Sequence, residues 1–115
     1  MKITATQQAG IGVVSISGSI DSSSSGEAEK FFNEQIEKGT ARLVVDLNQV
    51  GYMSSSGLRV LISTLKSARQ HHGDLCLAGL QENIHQLLDL AGFTSIFKIY
   101  PTAEEAVAAF DTAKN

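Results

Sequence analysis

The sequence contains one cysteine, one proline and no tryptophan, and aromatic residues make up only 6% of its 115 residues. The lone Cys76 cannot form an internal disulfide. It lies in the apolar run Leu75-Cys76-Leu77-Ala78, which predicts a small buried side chain rather than a reactive thiol. A chain of this length can bury enough surface to fold without metals or disulfides, so we predict one domain over residues 1–115.

Positive charge is also scarce, because 9 Lys and Arg against 12 Asp and Glu give a net charge of -3. Without a broad positive field, direct binding of nucleic acid or of an anionic membrane surface is disfavoured. No apolar run approaches the roughly 20 residues needed to cross a bilayer, and the first residues lack the apolar run of a signal peptide. We expect a cytoplasmic protein without a membrane span that binds a protein or a small ligand.

Strand and helix patterns alternate along the chain. The strand patterns cover residues 3–6, 12–18, 43–47, 75–78 and 95–100, and helical spacing of apolar residues covers 28–36, 58–68, 84–91 and 106–110. Gly10 suggests a turn between the first two strands, and the run 43–47 is typical of a central strand buried on both faces. We predict an α/β domain with a mixed sheet, an N-terminal hairpin and about four helices, whose last few residues fray.

The segment 48–57 lies between the third strand and the second helix, is predicted to be a loop over 48–53, and carries three adjacent hydroxyls, Ser54, Ser55 and Ser56. Short hydroxyl side chains cap the free N–H groups of a helix start, and one serine suffices for that. A phosphate at this point would meet unpaired N–H donors and the positive end of the helix dipole. The segment is therefore compatible with a phosphorylation switch, although the physics does not require one.

The same segment resembles the signature of STAS-domain anti-sigma factor antagonists, also called anti-anti-sigma factors. The residues that carry the resemblance are Val44-Val45-Asp46-Leu47, Val50, Met53, Ser55-Ser56-Gly57-Leu58 and Val60-Leu61. Further similar stretches are Gly18-Ser19-Ile20-Asp21, Leu75-Cys76-Leu77-Ala78-Gly79-Leu80, Leu90-Ala91-Gly92-Phe93 and Phe97-Lys98-Ile99-Tyr100. The resemblance covers nearly the whole chain and implies a single STAS-like domain in a bacterial partner-switching system that regulates transcription.

The resemblance also implies a mechanism. An anti-sigma factor with serine-kinase activity would phosphorylate Ser55, and only the unphosphorylated protein would bind that factor and release the sigma factor. A metal-dependent serine phosphatase would reset the switch, so ATP and metal belong to the partners, and this chain would be a phosphoprotein without cofactor, metal site or catalytic residue. Asp21 matches an acidic residue of the family close to the modified serine.

The family commonly has aspartate where this sequence has Ser54. Ser54 or Ser56 is the alternative acceptor if the local register differs. Ser54, Ser56, Gly57, Asp21 and Arg59 are the candidate partner-binding residues beside the switch. Asp46 is either satisfied by backbone N–H groups or acts near the switch.

Three alternatives to the switch are a metal site, a serine hydrolase and a ligand-binding or scaffolding module. His71-His72 and His85 do not indicate metal, because adjacent histidines point in different directions. A serine hydrolase is disfavoured, because Met53 occupies the first glycine position of Gly-x-Ser-x-Gly around Ser55. A ligand-binding or scaffolding STAS module, which uses the same loop without phosphorylation, stays open as the alternative.

Overall fold

The chain begins with a β-hairpin formed by β1 (Lys2–Gln8) and β2 (Ile11–Ile20). The two strands are antiparallel, and the residues of the turn between them, Ala9 and Gly10, have φ angles of 56° and 79°. A two-residue turn with positive φ at both positions matches the right-handed twist of the strands, and glycine adopts that conformation without strain. The predicted hairpin and its turn at Gly10 are confirmed.

The structure, a computed structural model, describes residues 1–113. The remaining elements in chain order are α1 (Ser25–Glu37), β3 (Arg42–Met53), α2 (Ser55–Gln70), β4 (Asp74–Ala78), α3 (Glu82–Leu90), β5 (Lys98–Tyr100) and α4 (Ala103–Ala113). Within this part of the chain the strands form one sheet in the order β1-β2-β3-β4-β5, in which every pair except β1 and β2 is parallel. The predicted single α/β domain with a mixed sheet is confirmed.

Helices cover both faces of the sheet. On one face α1, α2 and α3 bury the main core, in which Phe32, Leu61 and Leu88 meet the sheet. On the other face α4 covers a smaller cluster that includes Cys76 and Val44. Strand β3 is central to both, because Leu43, Val45 and Leu47 belong to the first core and Val44 to the second. The prediction that 43–47 is buried on both faces is therefore confirmed.

Cys76 is buried, as predicted. Burial raises the pKa of its thiol to about 12, and the neighbouring Asp74 carboxylate acts in the same direction. The thiol is therefore held in its neutral form.

Three sequence-based expectations were wrong in detail. Residues 48–53 are not a loop but the second half of β3, because the long β2 supplies a parallel partner as far as Met53. The last strand is shorter than 95–100, because the backbone N–H groups of Ile96 and Phe97 donate to the carbonyl of Phe93 in a turn. Ala91 lies after α3 and is exposed, so it is not part of the buried helix face.

The expected fraying of the last few residues concerns positions outside the described residues. Among the helices of residues 1–113, none is long and apolar enough to cross a membrane.

Candidate functional site

The start of α2 is attached to the end of β2. Ser54 has extended backbone angles (φ -87°, ψ 173°) and is the N-cap of α2. Its N–H donates to the carbonyl of Ile20 over 2.8 Å, and its side-chain oxygen accepts a long 3.4 Å hydrogen bond from the N–H of Gly57. We name Ser54, Ser55, Ser56 and Gly57 the serine tip, and its backbone is held by the sheet beneath it.

Gly57 is the point of closest approach between α2 and β2. A Cβ atom at this position would lie 2.7 Å from Cγ2 of Ile20, 2.9 Å from the Ile20 carbonyl oxygen and 2.9 Å from Cγ of Met53. Real Cβ atoms essentially never come so near to other heavy atoms, so any side chain would push the helix away from the strand. Glycine at position 57 therefore lets the serine tip rest directly on the end of the sheet.

The three serines of the tip have different surroundings. Ser55 is exposed in the first turn of α2, whereas Ser54 and Ser56 are half-buried. The oxygen of Ser54 is engaged as the helix cap. Ser56 faces a shallow groove between the starts of α1 and α2. Of the three serines, Ser55 is therefore the most exposed to solvent.

The groove beside the tip has a volume of about 170 Å³. Its lining residues are Ser25, Gly26, Glu29, Ser56, Arg59 and Val60. Arg59 is exposed, so the groove combines a guanidinium group on α2 with a carboxylate, Glu29, on α1. Sequence reasoning placed Arg59 beside the three serines, and in the structure Arg59 lines the same groove as Ser56.

Asp21 follows Ile20 immediately, and Ile20 pairs with Met53 across β2 and β3, so Asp21 lies close to the serine tip in the fold. Its carboxylate accepts hydrogen bonds from the hydroxyl and the N–H of Ser23 at 2.7 and 3.0 Å and from Ser24. The hydrogen bond from the Ser23 hydroxyl is the main reason why the pKa of the Asp21 carboxyl is lowered, and the Ser23 N–H adds to it. The side chain thus stabilises the turn before α1.

Asp46 and Asn48 form a second polar pair, farther from the tip. The Asp46 carboxylate accepts from the N–H of Asn48 at 3.1 Å and from its side-chain amide at 2.9 and 3.0 Å. These contacts satisfy the carboxylate locally, which favours the structural interpretation of Asp46 over a role in a switch.

Sequence reasoning missed Tyr52 and the anchoring of β3 by α3. Tyr52 precedes Met53 and its side chain is 55% exposed, although most large apolar side chains are buried. The side-chain amide of Asn83 donates to the carbonyl of Gly51 over 2.8 Å, which holds this end of β3. Strand alternation could not have indicated Tyr52, because Val50 and Met53 are three residues apart and are both buried only where a register shift interrupts the pairing of β3 with β2.

Within the described residues, none of the three tip hydroxyls is hydrogen-bonded to an imidazole, so they lack the base that would activate a serine nucleophile. The ring of His71 instead has the carbonyl oxygen of Ser67 at 2.8 Å from Nδ1. Among the side chains that the structure describes, no three His, Cys, Asp or Glu come together as a metal site.

Fold and site together define a small α/β domain that displays an exposed serine where a helix starts at the end of a mixed sheet. Residues 2–106 match the model of the STAS domain family. The chain is 35% identical over 113 residues, covering 98% of this chain and 97% of the relative, to a Bordetella bronchiseptica protein named "Putative anti-sigma factor antagonist BtrV". The chain belongs to the STAS domain family, and its resemblance to anti-sigma factor antagonists is confirmed.

Solved structures agree with this assignment. An anti-sigma factor antagonist from Mycobacterium paratuberculosis superposes with a TM-score of 0.86 at 26% identity, covering 94% of this chain and 92% of that one. A Thermotoga maritima protein shares the fold with a TM-score of 0.88 at 23% identity, covering 93% and 92%.

Proposed function

We propose that this protein is an anti-sigma factor antagonist whose serine tip binds an anti-sigma factor with serine-kinase activity and thereby releases the sigma factor. Phosphorylation of Ser55 switches this binding off. The names of its relatives support the antagonist role. The observation that carries the proposal is the exposed hydroxyl of Ser55 on a helix start whose backbone is fixed to Ile20.

The surroundings of the three serines favour Ser55 as the phosphate acceptor. The Ser54 oxygen caps α2, and its modification would remove the acceptor that faces the N–H of Gly57. Ser56 is half-buried in the groove between α1 and α2, so its hydroxyl is less accessible to a kinase. A kinase must reach the hydroxyl from solvent, and Ser55 offers that access with the least rearrangement.

Serine in place of the aspartate that the family commonly has before the modified residue keeps the capping function. Both side chains place an oxygen where it accepts from the first free N–H groups of a helix. Ser54 does this toward Gly57. The change therefore preserves the geometry of the tip while removing one negative charge beside Ser55.

A phosphate on Ser55 would alter binding more than folding. It adds about 1.5 to 2 negative charges at pH 7, but at a helix N-terminus these charges face the positive end of the helix dipole. A partner surface shaped for a neutral hydroxyl would bind this charged form less tightly. The modified chain stays folded and loses its partner.

The partner surface includes Arg59 and Tyr52, which are exposed and flank Ser55 in the sequence. Ser54 and Ser56 contribute their solvent-exposed atoms to the same surface. Gly57 and Asp21 instead hold the serine tip and the turn beside it in position. A metal-dependent serine phosphatase would reverse the modification. ATP and metal are then required by the partners, and this chain performs no catalysis. The switch operates in the cytoplasm, where ATP is available to the kinase.

The test is intact mass and phosphosite mapping after incubation with a candidate cognate kinase and Mg-ATP. Wild type is compared with Ser55→Ala and with Ser63→Ala, which removes another exposed serine of α2. We expect one phosphate on wild type and Ser63→Ala and none on Ser55→Ala. Phosphate on Ser55→Ala would move the site to Ser54 or Ser56, and a kinase that binds without phosphorylating would favour the phosphorylation-independent module.

A further inference from the structure

Arg59 lies one helical turn after Ser55 on the exposed side of α2. Residues four apart on a helix are neighbours, and long helical side chains point back toward the N-terminus, over the preceding turn. In such a rotamer, an arginine at position 59 brings its guanidinium toward the position of the Ser55 hydroxyl. Both residues are exposed, and Arg59 also lines the groove at the tip.

The charge of Arg59 is not balanced by a carboxylate within its own helix. The sequence of α2 contains three basic residues and no Asp or Glu. In the described part of the chain both ion pairs involve Asp74, which contacts Arg69 at 3.2 Å and Lys98 at 3.4 Å. Arg59 thus forms no ion pair among these residues, and its guanidinium is available to a new anion.

We propose that Arg59 is the positioning residue for the phosphate on Ser55, pairing with it across one turn of α2. The proposal rests on Ser55 as the phosphorylation site. A guanidinium presents a planar fork of donors that matches the oxygens of a phosphate, so the pair is a charge-assisted hydrogen bond as well as a Coulomb contact. Phosphorylation then does two things, since it adds charge to the tip and withdraws Arg59 from the partner surface.

The charged groups around the tip direct the phosphate toward Arg59. Glu29 on α1 lines the far side of the groove, and Asp21 holds the turn that follows β2. Both carboxylates repel a phosphate, so the position that faces Arg59 and solvent is the favourable one. Lys66 lies seven residues farther along α2, about two turns away, and is too distant to take over this contact.

The test uses the full chain with phosphoserine incorporated at position 55 during synthesis, so that no kinase is involved. The second pKa of the phosphate is measured by ³¹P NMR titration at low salt in wild type, Arg59→Ala and the matched control Lys66→Ala. A nearby cation favours the dianion, so removing Arg59 raises this pKa, by about 0.3 unit for a pair of this spacing. Lys66→Ala leaves it within about 0.1 unit of wild type, because Lys66 lies eleven residues, or about three turns, after Ser55 and the Coulomb interaction falls with distance.

A phosphate pKa in Arg59→Ala equal to that in Lys66→Ala would overturn the pairing and leave the switch itself untouched. Conversely, failure of a kinase to modify Ser55 would remove the switch without altering the titration, because the phosphate is installed independently. Arg59→Lys retains the charge without the planar fork, and we expect it to restore part of the shift.

Discussion

The N–H of Ser54 donates a 2.8 Å hydrogen bond to the carbonyl oxygen of Ile20, so the N-cap of α2 is tied to the last residue of β2. This bond couples the serine tip to the end of β2, a strand paired on both sides in the sheet. A modification at the neighbouring Ser55 then changes the charge of a fixed surface. The switch that we propose is consequently electrostatic and needs no rearrangement of the fold.

Replacing Gly57 with alanine should destabilise the domain by about 1–3 kcal/mol, the usual cost of overpacking. The added methyl group would meet both Ile20 and Met53 at less than 3.0 Å. The matched control is Gly26→Ala in the first turn of α1, where a Cβ meets nothing within 4 Å. Urea unfolding measures the stability of both variants. Equal unfolding midpoints would contradict the close packing of α2 on β2.

Replacing Ser54 with alanine should cost about 1 kcal/mol of stability, because the N–H of Gly57 loses its side-chain acceptor. Ser54→Asp should recover that loss, since a carboxylate caps the same groups and favours the helix dipole. Chemical denaturation measures the order of stability of wild type and the two variants. If the alanine variant were as stable as wild type, the long 3.4 Å contact would contribute nothing and Ser54 would not be a capping equivalent of aspartate.

Tyr52→Ala should weaken binding of the kinase partner by roughly tenfold to a hundredfold, the range expected when an aromatic anchor is removed from an interface. The stability of the isolated chain should change little, because the side chain is 55% exposed. Leu90→Ala is the control, as Leu90 is 91% exposed on α3. Calorimetric titration with the kinase partner measures the affinity of each variant. Equal losses of affinity in Tyr52→Ala and Leu90→Ala would exclude Tyr52 from the specific contact surface.

The Asp21 turn should make part of the stability depend on acid pH. The pKa of the Asp21 carboxyl is lowered from its usual value of 3.8, chiefly by the Ser23 hydroxyl, so the folded state favours the ionised form. That contribution is complete above the unfolded pKa and disappears as the pH falls through the lower folded pKa. The Tm difference between wild type and Asp21→Asn should therefore be constant near neutral pH and shrink below about pH 4. A difference that is independent of pH would show that the carboxylate does not hold the turn as an anion.

Periodicity predicted the core of this fold well. The run 43–47 reads as a buried strand because its apolar side chains serve two cores, and Cys76 was correctly placed in a strand of the same kind. Residues 48–53 were misassigned because Asn48, Gln49 and Gly51 are poor strand formers. The pairing with β2 keeps them extended, and that pairing depends on contacts between distant parts of the chain.

The candidate site was located from its serines, but its three-dimensional neighbours were only partly predicted. Resemblance and the capping pattern indicated the tip and Asp21, and helical spacing placed Arg59 beside it. Spacing along one helix does not reveal the groove, because Glu29 and Ser25 come from α1. Nor does it reveal that Gly57 is needed for contact with Ile20, which belongs to a different strand.

The measurement that tests the central claim most directly is the affinity of a cognate anti-sigma kinase for the full chain in two forms, unmodified and carrying phosphoserine at position 55. Ser55→Ala, which cannot be phosphorylated, is titrated alongside. We predict that the phosphate lowers the affinity at least about 100-fold through like-charge repulsion and desolvation, while Ser55→Ala binds within a few fold of wild type. Equal affinities for the two forms would contradict the switch and leave a binding module that works without phosphorylation.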